Sequence, residues 1–467
     1  LHLSIRRQRQ MCIRDRAYAN SPVTFFNANF LDCCRMWNEG TYSPRDNFFN
    51  INSVMDHFNY KKGKLFAEEV SIEEIANKFG TPSYIYSKAT LERHAKAYID
   101  SFQSMKGLIC FSVKALSNIS ILKILKKAGC GFDIVSGGEL HRVILAGADP
   151  KKIIFSGVGK SRAEMAAGIN HNILSFNIES EPELDRLKSV AREMNKIAPI
   201  AIRFNPNVDA GAHEFTKTGR KSDKFGVSIE TTKNLVKKCN DSDNLNLVGL
   251  TCHIGSQIME LESFEDAASQ ALDLLIELDN LNINIDFIDM GGGLGVNYVG
   301  EETTQPFELI QSYEKIFKGR DEILILEPGR SISANAGIML AKVEYKKDDF
   351  LITDAAMNDL LRPALYDAHH DIWPVEKNDN LASNVNVVGP ICETGDFLAK
   401  DINIAASEND LLAVRTVGAY GSVMSSNYNS RPRAAEVLVD RKNFYLIRKR
   451  EDHSILTSLE EGLDDQI

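Results

Sequence analysis

From about residue 107 onward the chain repeats one alternation: a short run rich in Ile, Val, Leu and Phe, then a longer amphipathic stretch. The runs are Leu108–Lys114, Phe132–Ser136, Ile153–Ser156, Ile173–Ile178, Ile200–Asn205, Val248–His253, Ile285–Met290 and Ile323–Glu327. Short, β-branched and aromatic segments of this kind predict strands. Between them, Ile121–Lys127, Glu139–Ala146, Pro182–Asn195, Thr232–Cys239, Phe264–Leu278 and Phe307–Phe317 carry apolar residues at helical spacing, as Leu184, Leu187 and Val190 do. Eight consecutive βα units predict an α/β fold, a (β/α)8 TIM-like barrel over residues 83–330. The competing fold is an open doubly wound sheet, which needs GxGxxG between its first strand and helix. That motif is absent there, and Gly291-Gly292-Gly293-Leu294-Gly295 follows the seventh strand with different spacing.

After Arg330 the rhythm changes. Ala341–Tyr345, Phe350–Thr353, Asn386–Val388, Leu411–Val414, Ala435–Val439 and Phe444–Ile447 are β-type runs separated by turns, which predicts a mostly β domain over residues 331–467. Residues 55–82 hold one short helical pattern, Ile72–Phe79, closed by Gly80 and Thr81-Pro82, and are expected to pack with the β domain. Residues 1–54 lack this patterning. They open on Leu1 and the basic Ile5-Arg6-Arg7-Gln8-Arg9-Gln10, with no apolar core of signal-peptide length behind it. Residues 1–16 resemble translated sequencing adapter. The expectation is a non-native or disordered extension, with the native chain starting at Met55.

The 467 residues carry a formal charge of −10, so charge offers no reason to bind nucleic acid or an anionic membrane. No apolar run approaches the ~20 residues that cross a bilayer. The eight cysteines are scattered, with no CxxC pair and no zinc spacing. No metal site is expected, and the pattern fits a reduced, cytoplasmic chain.

Candidate chemistry lies where strands give way to loops, the catalytic face of such barrels. The first strand ends at Lys114. Alone, such a lysine is commonly a solvated charge, but sharing a barrel mouth with a phosphate cradle and a buried carboxylate makes it a candidate Schiff-base residue. The second run carries Asp133 and ends in Gly137-Gly138. The sixth ends His253-Ile254-Gly255-Ser256; this histidine is either a satisfied structural residue or one that stacks on a flat ligand. Gly291-Gly292-Gly293 is a tight turn or an anion-binding nest of backbone amides. Glu327-Pro328-Gly329-Arg330 closes the eighth strand, and barrel phosphate sites commonly use the loops after strands seven and eight. A carboxylate at Glu327 suits a pyridine nitrogen that must stay protonated. Lysine, acid and nest together describe a pyridoxal 5'-phosphate site.

These motifs resemble the alanine-racemase-like (fold type III) pyridoxal-phosphate enzymes, and among them the diaminopimelate decarboxylases, from about Met55 to near the C-terminus. The resemblance implies that Lys114 forms the Schiff base, though the usual Tyr-Ala-x-Lys-Ala-Asn stands here as Phe-Ser-Val-Lys-Ala-Leu. It implies that His253 stacks on the cofactor, and that Asp133, Ser256, Gly292, Gly293 and the segment Glu327, Pro328, Gly329, Arg330 contact its phosphate and ring. Arg362-Pro363-Ala364-Leu365-Tyr366 matches the motif for the substrate's distal carboxylate, with Arg330. Cys392-Glu393-Thr394-Gly395-Asp396 is similar to a segment that a neighbouring subunit inserts, with Cys392 the proton donor and Glu393 facing the distal ammonium. Gly418-Ala419-Tyr420 matches a tyrosine that contacts cofactor and substrate. Lys217-Thr218-Gly219 with Lys224-Phe225-Gly226 matches a loop of the family. The implied reaction is decarboxylation of meso-2,6-diaminopimelate to L-lysine, the last step of lysine biosynthesis, by a homodimer with shared active sites. Ornithine, arginine or carboxynorspermidine decarboxylases remain as rivals, as does a non-catalytic pyridoxal-phosphate carrier.

Overall fold

The computed structural model describes residues 56–208, 224–300, 302–377 and 381–462. Residues 1–54 and the Lys217-Thr218-Gly219 motif lie outside the described residues.

A small antiparallel sheet opens the described chain, from β1 (Phe58–Lys61), β2 (Lys64–Ala67) and β3 (Val70–Ser71). Then come the helix Ile72–Phe79, as predicted, and β4 (Ser83–Ser87). The closed parallel barrel is built from β5 (Gly107–Ser112), β6 (Gly131–Ile134), β7 (Ile153–Phe155), β8 (Ser175–Ile178), β9 (Ala198–Arg203), β10 (Leu245–Thr251), β11 (Phe287–Asp289) and β12 (Ile323–Leu326). All eight predicted strands are present. Their ends are trimmed, because the terminal polar residues leave the ladder to make the site. Lys114, for instance, sits in a short 3-10 turn, Val113–Ala115, beyond β5. One barrel helix had no clear apolar stripe in the sequence: Arg162–His171 buries only Met165, Gly168 and Ile169, and is held at its start by a Ser161/Glu164 capping box.

The second sheet contains β13 (Gly337–Lys347), β14 (Phe350–Thr353), β15 (Ile372–Pro374), β16 (Ser383–Val388), β17 (Phe397–Ile404), β18 (Leu411–Val414), β19 (Ala435–Asp440) and β20 (Asn443–Arg448). β4 belongs here too, antiparallel to β13 and parallel to β19. This corrects the placement of Ser83–Ser87 with the barrel. Both faces of β4 are buried, so its run Ser-Tyr-Ile-Tyr-Ser carries no alternation to reveal its sheet. The N-terminal sheet docks on the same domain: Leu65 N–H donates to the Val375 carbonyl at 2.7 Å, and Phe58, Leu65, Ile72, Ile75, Ile338 and Val437 share one core.

Inside the barrel, period-2 alternation stacks two layers of opposite character. The lower layer is apolar: Cys110, Ile154, Ala201, Val248, Phe287 and Ile325 form one cluster. Two positions further along come Ser112, Ser156, Arg203, Asp289 and Glu327, and these are joined by Asp133, Asn177 and Thr251. All eight are buried and polar, one from each strand or the residue just past it. A barrel that needed only stability would fill this layer with Val, Ile and Leu. The polar layer is therefore the base of a site.

Candidate active site

Lys114 Nζ donates to Asp133 Oδ2 at 2.9 Å. Burial disfavours the ammonium, but Asp133, Tyr420 and Glu327 outweigh it and hold Lys114 above the ordinary lysine range. The Ser112 hydroxyl braces the same carboxylate at 3.0 Å and lies 2.9 Å from the Glu327 carbonyl oxygen. Glu327 and Asp289 are buried in hydrogen-bonding contact. Burial, with Asp133 and Asp289 nearby, raises Glu327 well above the carboxylate range, and burial pushes Asp289 up to about 6. Asp133 Oδ1 and Glu327 Oε1 are buried without a hydrogen-bond partner. Orphaned acceptors beside a single lysine call for a ligand that brings a donor.

His253, just past β10, accepts from the Gly292 amide at 3.3 Å through Nδ1, which puts the proton of a neutral ring on Nε2. Burial, with Arg203 and Lys114 nearby, lowers its pKa well below 6.5, so the ring stays neutral. Arg203 is fixed by both oxygens of Glu179, at 3.0 and 3.1 Å, and lies over the Phe225 ring. Glu179 is itself held by the amides of Gly157 and Gly226. The strand-end pattern had not singled out Thr251, Asp289, Arg203 or Glu179. Reading every second residue past the apolar lumen layer would have found Asp289 and Arg203; Thr251 is three past Val248, because the register of β10 shifts between Leu247 and Gly249.

The glycine loop differs from a bare nest. Gly291 N–H is taken by Asp289 Oδ1 at 2.9 Å and Gly292 N–H by His253, so two of the three amides serve the protein itself. The glycines are still required: a Cβ on Gly292 would stand 2.2 Å from the Glu327 carbonyl oxygen, and Gly293 has φ +115° with its Cβ position 2.6 Å from the Gly255 carbonyl oxygen. Gly329 is less tightly enclosed, its Cβ position 3.0 Å from the Cβ atoms of Ala115 and Ser112.

The mouth is completed from beyond the barrel. Arg330, at the start of the short helix Arg330–Ser333, reaches Ser256 Oγ at 3.0 and 3.3 Å and donates to the Tyr298 hydroxyl at 2.9 Å. Its guanidinium lies 4.9 Å from the Tyr420 ring centre, and that of Arg362 lies 5.1 Å from Tyr298. Arg362 Nε is buried without a partner. Tyr420 is held at φ +57°, a costly conformation for a tyrosine, while its amide donates to the Ala115 carbonyl at 2.9 Å. A cavity of about 440 Å3 joins Lys114, His253, Ser256, Tyr298, Arg330, Arg362, Tyr366 and Tyr420. Tyr298 and His370, which meets it edge-on at 5.4 Å, carried no signal in the sequence.

Cys392 and Glu393 are placed differently. Both are exposed and neither lines this cavity. Their loop, between β16 and β17, is nonetheless shaped: buried Asp396 accepts from Met357 N–H at 2.6 Å and Ile391 N–H at 2.8 Å. Cys392 is the single exposed cysteine among the five described, all of which are free. Among the described residues no cluster of His, Cys, Asp and Glu is arranged for a metal.

A neutral histidine, an acid floor with an orphaned oxygen, a lysine at its edge and glycine loops too tight for side chains fit pyridoxal phosphate. These features define the class, a pyridoxal-phosphate-binding barrel protein, and its similarity to known proteins places it among the decarboxylases. Accordingly, residues 88–334 match the family model "Pyridoxal-dependent decarboxylase, pyridoxal binding domain". A diaminopimelate decarboxylase of Pseudomonas aeruginosa is 49% identical over 401 residues, covering 85% of this chain and 97% of the relative. The solved diaminopimelate decarboxylase of Helicobacter pylori, complexed with L-lysine, superposes with TM-score 0.81 at 40% identity, over 83% of this chain and 98% of that one. The m. jannaschii enzyme, also with L-lysine, gives 0.84 at 34% identity, over 88% and 99%. The chain belongs to the diaminopimelate decarboxylase family.

Proposed function

We propose that this chain releases CO2 from meso-2,6-diaminopimelate to give L-lysine. The observation that carries the reading is one cavity lined by two buried arginines and by Lys114, which is itself bound to the buried acid cluster beneath it through Asp133. Pyridoxal phosphate, when bound, supplies an aldehyde for the substrate amine and a ring that accepts the electron pair left by CO2. Lys114 would hold the cofactor through its amine, and Glu327 would keep a proton at the ring nitrogen. His253 would offer a neutral ring face, and Ser256 with Arg330 and the Gly293 turn would receive the phosphate. Arg362, whose Nε has no partner, and Arg330 present planar donors suited to a carboxylate at the far end of the substrate. Ornithine and arginine lack that carboxylate and would leave Arg362 buried and uncompensated.

In this reading the partner copy completes the site. Cys392 and Glu393 are exposed on a pinned loop and outside their own chain's cavity, as a segment that inserts across a two-fold interface would be. Cys392 returns a proton to the reacting carbon and Glu393 faces the distal ammonium. A cytoplasmic place suits the free thiols, and no described helix is long and apolar enough to cross a membrane.

The test is CO2 release from meso-diaminopimelate, L-ornithine and L-arginine in parallel. Turnover of diaminopimelate alone is expected, and turnover of ornithine or arginine instead would overturn the rim assignment. Mixing inactive Lys114→Ala with inactive Cys392→Ala should restore about a quarter of the activity if sites are shared across a two-fold dimer. No recovery would place Cys392 in its own chain's site.

A further inference from the structure

The barrel floor holds three buried carboxyls, Asp133, Asp289 and Glu327, of which the first two are fully shielded from solvent. Among the described residues one cation touches them: Lys114, bound to Asp133. Three ionised carboxylates against one ammonium would leave two uncompensated negative charges in the interior, an arrangement that burial forbids unless protons are taken up.

The hydrogen-bond donors show where the proton goes. Asp289 receives two donors, the Thr251 hydroxyl on Oδ2 at 3.1 Å and the Gly291 amide on Oδ1 at 2.9 Å. Asp133 receives Lys114 and Ser112. Glu327 receives none at Oε1, which is buried and bare. Donors favour the ionised form, so Asp133 and Asp289 are the anions and Glu327 is the acid. The contact between Glu327 and Asp289 then needs a proton between the two carboxyls, with Glu327 donating. Of the other titratable neighbours, Glu139 faces Asp133 and Lys114 and is pushed up to about 7 chiefly by burial, while its Oε2 accepts from the Val135 amide. Any acid band it gives persists in Glu327→Gln and is thereby told apart. Cys110, Cys252 and Tyr313 are raised above their ordinary ranges, chiefly by burial, and remain neutral. His253 is neutral, and Arg203 is paired through Nη1 with both oxygens of Glu179, its Nη2 being buried without a partner.

We propose that Asp289 is a positioning residue that keeps a proton on Glu327 in the cofactor-free site, so that the floor meets the cofactor's ring nitrogen already carrying the proton that nitrogen needs. Thr251 and Gly291 are part of the device, because they make Asp289 an acceptor aimed at Glu327. The proposal rests on pyridoxal binding alone. It stands whichever amino acid is decarboxylated, and a failed substrate assay would leave it intact.

The experiment is an infrared pH titration of the cofactor-free full chain, following the carbonyl stretch of protonated carboxyl groups. A buried acid band is expected at neutral pH, absent from Glu327→Gln, which assigns it. In Asp289→Asn, whose amide can donate to Glu327, the pH at which the band disappears should fall by about one unit or more. An unchanged midpoint in Asp289→Asn would overturn the role of Asp289. Absence of the band from the unsubstituted chain at neutral pH would overturn the proposal outright, even if Asp289→Asn does not fold.

Discussion

The floor and the rim of the cavity differ in sign and in origin. The floor is built from Asp133, Asp289 and Glu327, at the ends of three barrel strands, and is short of protons and cations. The rim is built from Arg330, just past β12, and Arg362 of the β domain, each with its guanidinium near a tyrosine ring, and is short of anions. A single ligand that satisfied both ends would carry a protonatable ring at one end and anionic groups at the other. The difference teaches that the cavity recognises polarity over its whole depth and not one functional group.

Lys114, at the edge of the floor, should have the largest effect. Lys114→Ala is expected to lower kcat on the order of a thousandfold or more and to remove the visible absorbance of lysine-bound cofactor. An unchanged spectrum would take Lys114 out of its role. Arg362→Ala tests the rim separately. A charged hydrogen bond is worth about 1.5–3 kcal/mol, so KM should rise roughly ten- to 150-fold while cofactor affinity stays constant. A matching loss of cofactor would mean that floor and rim are not separable.

His370 supports the rim from behind and is expected to appear in acid stability. It is buried, its Nδ1 donates to the Arg415 carbonyl at 2.9 Å, and burial, with Arg362 close by, pulls its pKa down to about 3. Below the ordinary histidine value of about 6.5 the unfolded chain gains a proton that folded His370 refuses. Its contribution is therefore complete above that pH and lost as pH falls toward 3, at about 1.4 kcal/mol per pH unit. Denaturation midpoints of the parent chain should fall more steeply in this window than those of His370→Gln, and parallel curves would dismiss the effect. Ser256 joins the two ends through Arg330 and should matter least: Ser256→Ala is expected to weaken cofactor binding roughly fivefold, the worth of one ordinary hydrogen bond, measured by equilibrium titration of the cofactor-free chain.

Much of the floor was legible in the sequence, because it is local. Lys114, His253 and Glu327 follow apolar strands directly, and a strand end in a parallel barrel faces the site whatever its neighbours are. The rim was legible only as a motif, Arg362 to Tyr366, whose distance from Arg330 along the chain says nothing of their meeting. Tyr298 and His370 left no trace, since neither stands at a strand end or in a patterned run. Ser83–Ser87 was credited to the barrel because a strand buried on both faces has the same composition in either sheet.

Sequence alone was sufficient for the eight-fold alternation, the polar residues Lys114, His253 and Glu327 closing three of the strands and the glycines that keep the loops tight, since each follows from spacing and backbone sterics over a few residues. Tertiary structure was needed for which sheet receives β4, for the capture of the Gly291 and Gly292 amides by Asp289 and His253, and for the meeting of Asp289 with Glu327. Those outcomes depend on desolvation and on contacts between strands far apart in the chain. A carboxyl holds a proton at neutral pH only because of what surrounds it, and its surroundings exist only in the folded barrel.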